Sequence, residues 1–271
     1  MAPPSREVPG PSLVPVPVLA LASLGLAILA GPVVAVLASC DPEGLLEALM
    51  DPRVGRAIGL SLATATMTTL ISLLLGVPLA YALSRTRRRG LRSALESLLA
   101  VPVLLPHSAA GIAILSLLGP GRPLMALAPL FLEKPLGIIA AQTFVSAPLL
   151  VFSARAAFDE VPVELELVAR SLGASRLRTF VRVSLPLASR GILAGALLAW
   201  ARALSEFGAV VVLAYHPMTA PVLVYHRFVA WGLRASQPVV VLLVLLTAAI
   251  LAVLTALGIR PYGGGMAHAQ A

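Results

Sequence analysis

The sequence predicts an all-α integral membrane protein of about six transmembrane helices, and three observations carry that prediction. Hydrophobic residues make up 59% of the 271-residue chain and charged residues only 12%, with a mean hydropathy of +0.96. The apolar residues fall into runs of about 20, long enough to cross a bilayer as helices. The runs are continuous rather than alternating, which argues against a closed β-barrel, and backbone groups inside lipid are then satisfied within helices.

Residues 1–12 are rich in proline and are expected to lack fixed structure. The expected spans cover residues 13–39, 57–84, 95–118, 136–158, 187–215 and 238–259. Residues 13–259 thus form one six-span transmembrane domain, interrupted by a polar segment at 159–186, and the glycine-rich residues 260–271 form a loose tail. Cys40 is the single cysteine, so no intramolecular disulfide or multi-cysteine metal site is available. Leu37–Ala–Ser–Cys40 loosely resembles a lipoprotein cleavage box. The apolar run before it is too long for a signal h-region of about 7–15 residues, and the first helix reads as uncleaved.

Orientation follows from the basic residues at the span ends. Arg85, Arg87, Arg88, Arg89 and Arg92 fall between spans two and three. Arg155, Arg170, Arg176, Arg178, Arg182 and Arg190 fall between spans four and five. The other side holds Arg53, Arg56, Arg122, Lys134, Arg227 and Arg234, offset by Asp41, Glu43, Glu47, Asp51 and Glu133. Both termini are therefore expected in the cytoplasm. The same bias accounts for the formal charge of +8 without nucleic-acid binding.

The segment 159–186 departs from the apolar pattern. Leu165, Val168, Ala169 and Leu172 fall at i, i+3, i+4 and i+7, one stripe of a helix. Glu164, Glu166, Arg170 and Ser171 take the other faces. Gly173 stands where a left-handed cap ends that helix, and Ser175 can cap the next. Leu177, Phe180, Val181 and Leu185 repeat the apolar spacing, with Arg176, Arg178 and Arg182 facing away, and Pro186 is expected to open span five. An amphipathic helix lying on the membrane surface explains the stripe. It explains neither the glycine break nor the run into Leu185–Pro186.

This segment resembles the cytoplasmic loop of ABC importer permeases. That pattern is Glu-Ala-Ala, three residues, Gly, nine residues, Ile, one residue, Leu-Pro. Gly173, Val183, Leu185 and Pro186 match at the right spacing, with Val for Ile, and Ala169 matches the second alanine. Val168 replaces the first alanine. Leu167 stands at the glutamate position, with Glu166 one residue earlier. The resemblance implies a type I importer fold and a coupling helix seated in a cleft of a separate ATPase subunit. It implies contacts at Glu164, Leu165, Glu166, Val168, Ala169, Leu172, Gly173, Ala174 and Arg178, with Leu185 and Pro186 leading into the membrane.

Arg202 and Glu206 lie within expected span five, four residues apart, which puts them on one helix face. Each charge at a helix centre costs about 2.5–3.5 kcal/mol, so the two should pair or face a protein-lined cavity. They read either as a structural ion pair or as part of a pathway, and His107, after Pro106 in span three, either packs between helices or lines a pore. Ala201–Arg–Ala–Leu–Ser–Glu–Phe–Gly–Ala209 resembles the fifth span of sulfate, molybdate and tungstate permeases. Leu105–Pro–His–Ser–Ala–Ala–Gly–Ile112 resembles their third span, and His216–Pro–Met–Thr–Ala–Pro–Val–Leu–Val–Tyr225 their last external loop, most closely in the molybdate and tungstate branch.

The resemblance therefore implies an importer subunit for molybdate or tungstate. Its expected partners are ATPase subunits, an extracytoplasmic oxyanion-binding protein, a second permease copy and membrane lipid. A sulfate permease and an ATPase-independent secondary transporter stand as alternatives. The chain has no Gly-x-x-x-x-Gly-Lys-Ser/Thr loop, so ATP is expected in a partner subunit, with no cofactor or catalytic site here. No histidine or acidic cluster has metal-ligand spacing, and no metal site is expected.

Overall fold

The computed structural model describes residues 15–256. The expected tails 1–12 and 260–271, and the outermost residues of spans one and six, lie outside them. The described residues form thirteen α-helices with one short 3-10 turn and one π turn.

Helix α1 (Val16–Ala38) opens with Pro15 and Pro17, where a missing N–H costs little. It buries no residue and touches the bundle through the last helix. A short helix, α2 (Pro42–Met50), leads into α3 (Pro52–Arg85), capped by Asp51, whose carboxylate accepts from the Arg53 N–H at 2.8 Å. At 34 residues α3 is about 51 Å long and exceeds a hydrocarbon core of about 30 Å. Part of it therefore projects beyond the lipid.

Expected span three is not one helix. It forms α4 (Arg89–Leu104) and α5 (His107–Leu118), bent by 114°. Leu105 precedes Pro106, which forces it out of the helical region; it sits at φ −66°, ψ 141°. A 3-10 turn at Met125–Leu127 and a short α6 (Ala128–Phe131) lead to α7 (Pro135–Asp159). The polar segment is helical, as α8 (Val163–Ser171) and α9 (Arg176–Thr179). Residues Phe180–Ser184 form the π turn, which runs without a break into α10 (Leu185–Leu204).

Expected span five is thus corrected at both ends. Pro186 does not open a helix, because the rod begins at Arg176. The π turn carries it past the proline, with the Leu185 N–H donating to the Phe180 carbonyl five residues back. The rod ends at Leu204, and after a break the chain continues as α11 (Gly208–Leu213). Two further helices, α12 (Ala220–Trp231) and α13 (Leu233–Ala256), complete the described residues.

Among the described residues five helices are long and apolar enough to cross a membrane, and the count is six if the bent α4–α5 pair is one broken span. Helix α7 packs along both α3 and α10. Val77, Ala80, Leu150, Ala154, Phe158, Ala188 and Ala199 form the core between these three. A second core joins α5, α7, α11 and α12 around Ala110, Ile138, Val145, Val210 and Val222. Alanines are interleaved with larger aliphatic residues in both, which lets the helix backbones approach closely.

Candidate coupling and translocation site

Helix α8 is held to the bundle by one carboxylate. Glu166 was expected on an outward polar face; it is instead the buried residue of α8, at 8% exposure. Its Oε1 accepts from Arg85 Nη2 at 2.7 Å, Arg85 Nε at 2.9 Å and Ser184 Oγ at 2.8 Å. Its Oε2 accepts from the Tyr81 hydroxyl at 2.9 Å. Arg85 also donates to the carbonyls of Phe158, at 3.0 Å, and Val161, at 3.2 Å. Those carbonyls lie at and just beyond the end of α7, where cations are favoured. One guanidinium thus ties together α3, α7 and α8, and Ser184 adds the π turn. The rings of Tyr81, Phe158 and Phe180 cluster beside this knot, with centroids 4.8 to 6.1 Å apart. Burial pushes the Glu166 carboxyl up, and the hydrogen bonds from Arg85, Ser184 and Tyr81 outweigh it, holding it below the usual carboxylate value.

With the carboxylate turned inward, the apolar stripe turns outward. Leu165, Val168 and Leu172 are 45%, 59% and 84% exposed, and Leu177 of α9 is 72% exposed. Leu177 and Val181 therefore do not pack on the core as their spacing suggested. Thr179, Ser184 and Ala188 are buried instead, because the π turn shifts the phase of the rod. Glu164 and Arg178 are exposed, Ala169 and Ala174 are half-buried, and Leu185 packs against the core. Gly173 adopts φ +87°, the left-handed cap that its position suggested. Ser175 caps α9, accepting from the Arg178 N–H at 3.3 Å.

The second cluster runs from the interior to the surface: Glu206 is buried, Arg202 half-buried and His107 exposed. Arg202 Nη2 sits 2.6 Å from Glu206 Oε2. The pair does not share a continuous helix face as expected, because α10 ends at Leu204. Glu206 lies in the break, buried, and its Oε1 accepts from the Ala209 N–H at 2.8 Å in the first turn of α11. Arg202 Nη2 also lies 2.9 Å from His107 Nε2 at the start of α5. Arginine has no acceptor, so the imidazole nitrogen accepts. The structure brings His107, Arg202 and Glu206 together where two broken helices meet. A Cβ on Gly208 would stand 2.5 Å from the His107 Cβ, and one on Gly111 2.8 Å from the Ala209 carbonyl oxygen. Only glycine allows α5 and α11 this approach.

Sequence reasoning missed Gln142 on α7. Its Nε2 donates to the Ala203 carbonyl at 2.9 Å, and Thr68 Oγ1 donates to its Oε1 at 3.1 Å. It gives a second donor to the Ala203 carbonyl, which also accepts from the Glu206 N–H at 3.1 Å where α10 ends. A polar amide in the middle of an apolar run was the available signal. Arg85 was read as an orientation signal, since span two was expected to stop at Ser84.

Comparison with known proteins gives a consistent picture. Residues 72–260 match the family described as the binding-protein-dependent transport system inner membrane component. The molybdate/tungstate transport system permease protein of Thermococcus kodakarensis is 44% identical over 214 residues, covering 79% of this chain and 83% of that protein. A probable molybdenum ABC transporter permease protein of Haloferax volcanii is 42% identical over 66% of each chain. Among solved structures, a chain of a bacterial ABC transporter that imports the acidic polysaccharide alginate superposes with a TM-score of 0.68 at 17% identity, covering 89% of this chain and 92% of that one. A chain of the MetNI methionine ABC transporter in an inward-facing conformation gives 0.59 at 16% identity, covering 75% and 94%. These likenesses establish the importer-permease fold. The chain is a multi-pass membrane protein and belongs to the family of inner membrane components of binding-protein-dependent transport systems.

Proposed function

We propose that this chain is the transmembrane permease subunit of an ATP-driven importer for molybdate or tungstate. The observation that carries the coupling half of this reading is the outward apolar face of α8, anchored from behind by Glu166 and Arg85. An exposed apolar surface of this kind marks an interaction site, and Leu172, the most exposed of these leucines, stands at its tip. The substrate half rests on the relatives, which are molybdate/tungstate transport permeases.

In this reading ATP is bound and hydrolysed by separate ATPase subunits, and this chain has no catalytic site or cofactor of its own. Two copies of the chain form the pathway, and both termini face the cytoplasm. Closure of the ATPase dimer moves α8. The Glu166–Arg85–Ser184 knot passes that movement to α3, α7 and the α9–α10 rod. The rod ends beside Glu206, so displacement at α8 reaches the junction of α5 and α11, where Arg202 and His107 face the pathway. The ATP-bound state must favour one arrangement of this junction for the cycle to run. An extracytoplasmic binding protein delivers the oxyanion to the opposite mouth.

The test is crosslinking from Leu172→Cys on a Cys40→Ala background in native membranes. The expected result is a product containing a soluble ATPase subunit, which also co-purifies with the uncrosslinked protein. Reproducible absence of both, with transport retained, would instead support an ATPase-independent transporter.

A further inference from the structure

A cavity of about 850 Å³ opens at the end of α3 opposite Arg85. It lies between α2, the start of α3, α12 and the first turns of α13. Its charged lining is unbalanced. Asp51 is fully used: its Oδ1 caps α3 and its Oδ2 pairs with Arg227 at 2.6 Å. Arg53, Arg56 and Arg234 also line the cavity and have no carboxylate partner among the described residues. The one remaining acid is Glu47. His226, held by the Tyr215 hydroxyl at 2.9 Å, and His216 add further nitrogen groups.

We propose that this cavity is a low-affinity binding site for a tetrahedral dianionic oxyanion. The proposal rests on the oxyanion-importer reading above. Guanidinium forks match the paired oxygens of such an anion, and a recess lined by one sign of charge raises the local concentration of its counter-ion. The cavity faces away from the cytoplasmic side of the proposed topology. There the ordinary bias disfavours arginine, so three arginines without a carboxylate partner lining one recess require another reason. The space is far larger than a bare oxyanion. The ion is therefore held with part of its water shell, weakly enough to move on into the pathway. Glu47 opposes binding and sets the site's weakness.

The test is equilibrium dialysis of tungstate against the purified permease–ATPase complex in phosphatidylcholine nanodiscs, without the binding protein. Wild type should bind saturably. Arg53→Gln, Arg56→Gln and Arg234→Gln together should weaken binding roughly tenfold, and Glu47→Gln should strengthen it several-fold. A folding defect does not tighten binding, so the Glu47 variant separates charge from structure. Equal affinity in wild type and both variants overturns the proposal. So does a site that takes up phosphatidylglycerol in mixed nanodiscs and ignores tungstate, which would make it a lipid headgroup site. Uptake assays with the binding protein keep the two readings apart. Tungstate uptake without cavity binding overturns this inference alone, whereas absence of oxyanion uptake by wild type overturns the functional reading beneath it.

Discussion

Arg85 and Glu166 are 81 residues apart in sequence and 2.7 Å apart in the structure. Their contact is the joint between the longest membrane helix and the short helix outside the lipid. Glu166 spends both oxygens on it and its hydroxyl neighbours, so α8 has one defined seat on the bundle. Arg85→Met leaves that carboxylate without its charged partner and should cost about 1.5–3 kcal/mol. The melting temperature in detergent should fall, and transport per ATP hydrolysed should fall with it.

The same carboxylate predicts a pH dependence. Its pKa lies below the ordinary value of 4.5, so its contribution to stability is present above that value and is lost as pH falls through the lower, folded-state value. The difference in melting temperature between wild type and Glu166→Gln should be flat from pH 8 to about pH 5. It should shrink only in stronger acid. A difference that disappears near neutral pH would contradict the anchor.

Leu172→Asp tests the outward face. The residue is 84% exposed, so stability should change by no more than about 0.5 kcal/mol while uptake collapses and ATP hydrolysis uncouples from it. Full uptake by a normally folded variant would refute docking at this face. Gly173→Ala acts differently: at φ +87° it should cost about 1 kcal/mol through backbone strain.

The contact of α5 with α11 predicts overpacking. Gly208→Ala would press against His107, and Gly111→Ala against the Ala209 carbonyl. Each should destabilise by about 1–3 kcal/mol. Neither clash is relieved by a side-chain rotation, because the His107 Cβ at 2.5 Å is as fixed by its backbone as the Ala209 carbonyl oxygen at 2.8 Å. Thermal unfolding in detergent measures both.

Arg202→Met leaves Glu206 buried and unpaired and should cost about 3–5 kcal/mol. Adding Glu206→Gln removes the orphaned charge and keeps an acceptor for Ala209, so the double variant should be more stable than Arg202→Met alone. Additive losses in a double-mutant cycle would show that the ion pair is not coupled.

Four of the six spans were legible because lipid demands unbroken apolarity, and α1, α3, α7 and α13 meet that demand with long runs. The two broken helices were hidden by the same rule. Leu105 at the first break is as apolar as its neighbours, and at the second Glu206 lies between long apolar stretches, so a window average runs across a proline-driven bend and a helix end alike. The stripe on α8 was legible as a stripe. Periodicity gives the faces of a helix but not which one meets the rest of the protein, and the buried face here is a carboxylate matched by an arginine from a distant helix. The Arg202–Glu206 pair was legible from its cost in lipid, whereas Gln142, uncharged, carried no such flag.

The π turn at Phe180–Ser184 fixes a rotational phase. It holds one residue more than an α-helical path would need, and it turns Ser184 toward Glu166 while α10 presents Arg202 to His107. Removing a single residue there would let the rod run as plain α-helix and would rotate everything after it by about 100° relative to α9. The guanidinium would then swing off the junction of the broken helices although every side chain near it was unchanged. The alignment of the two ends of this rod is written in the length of one wide turn.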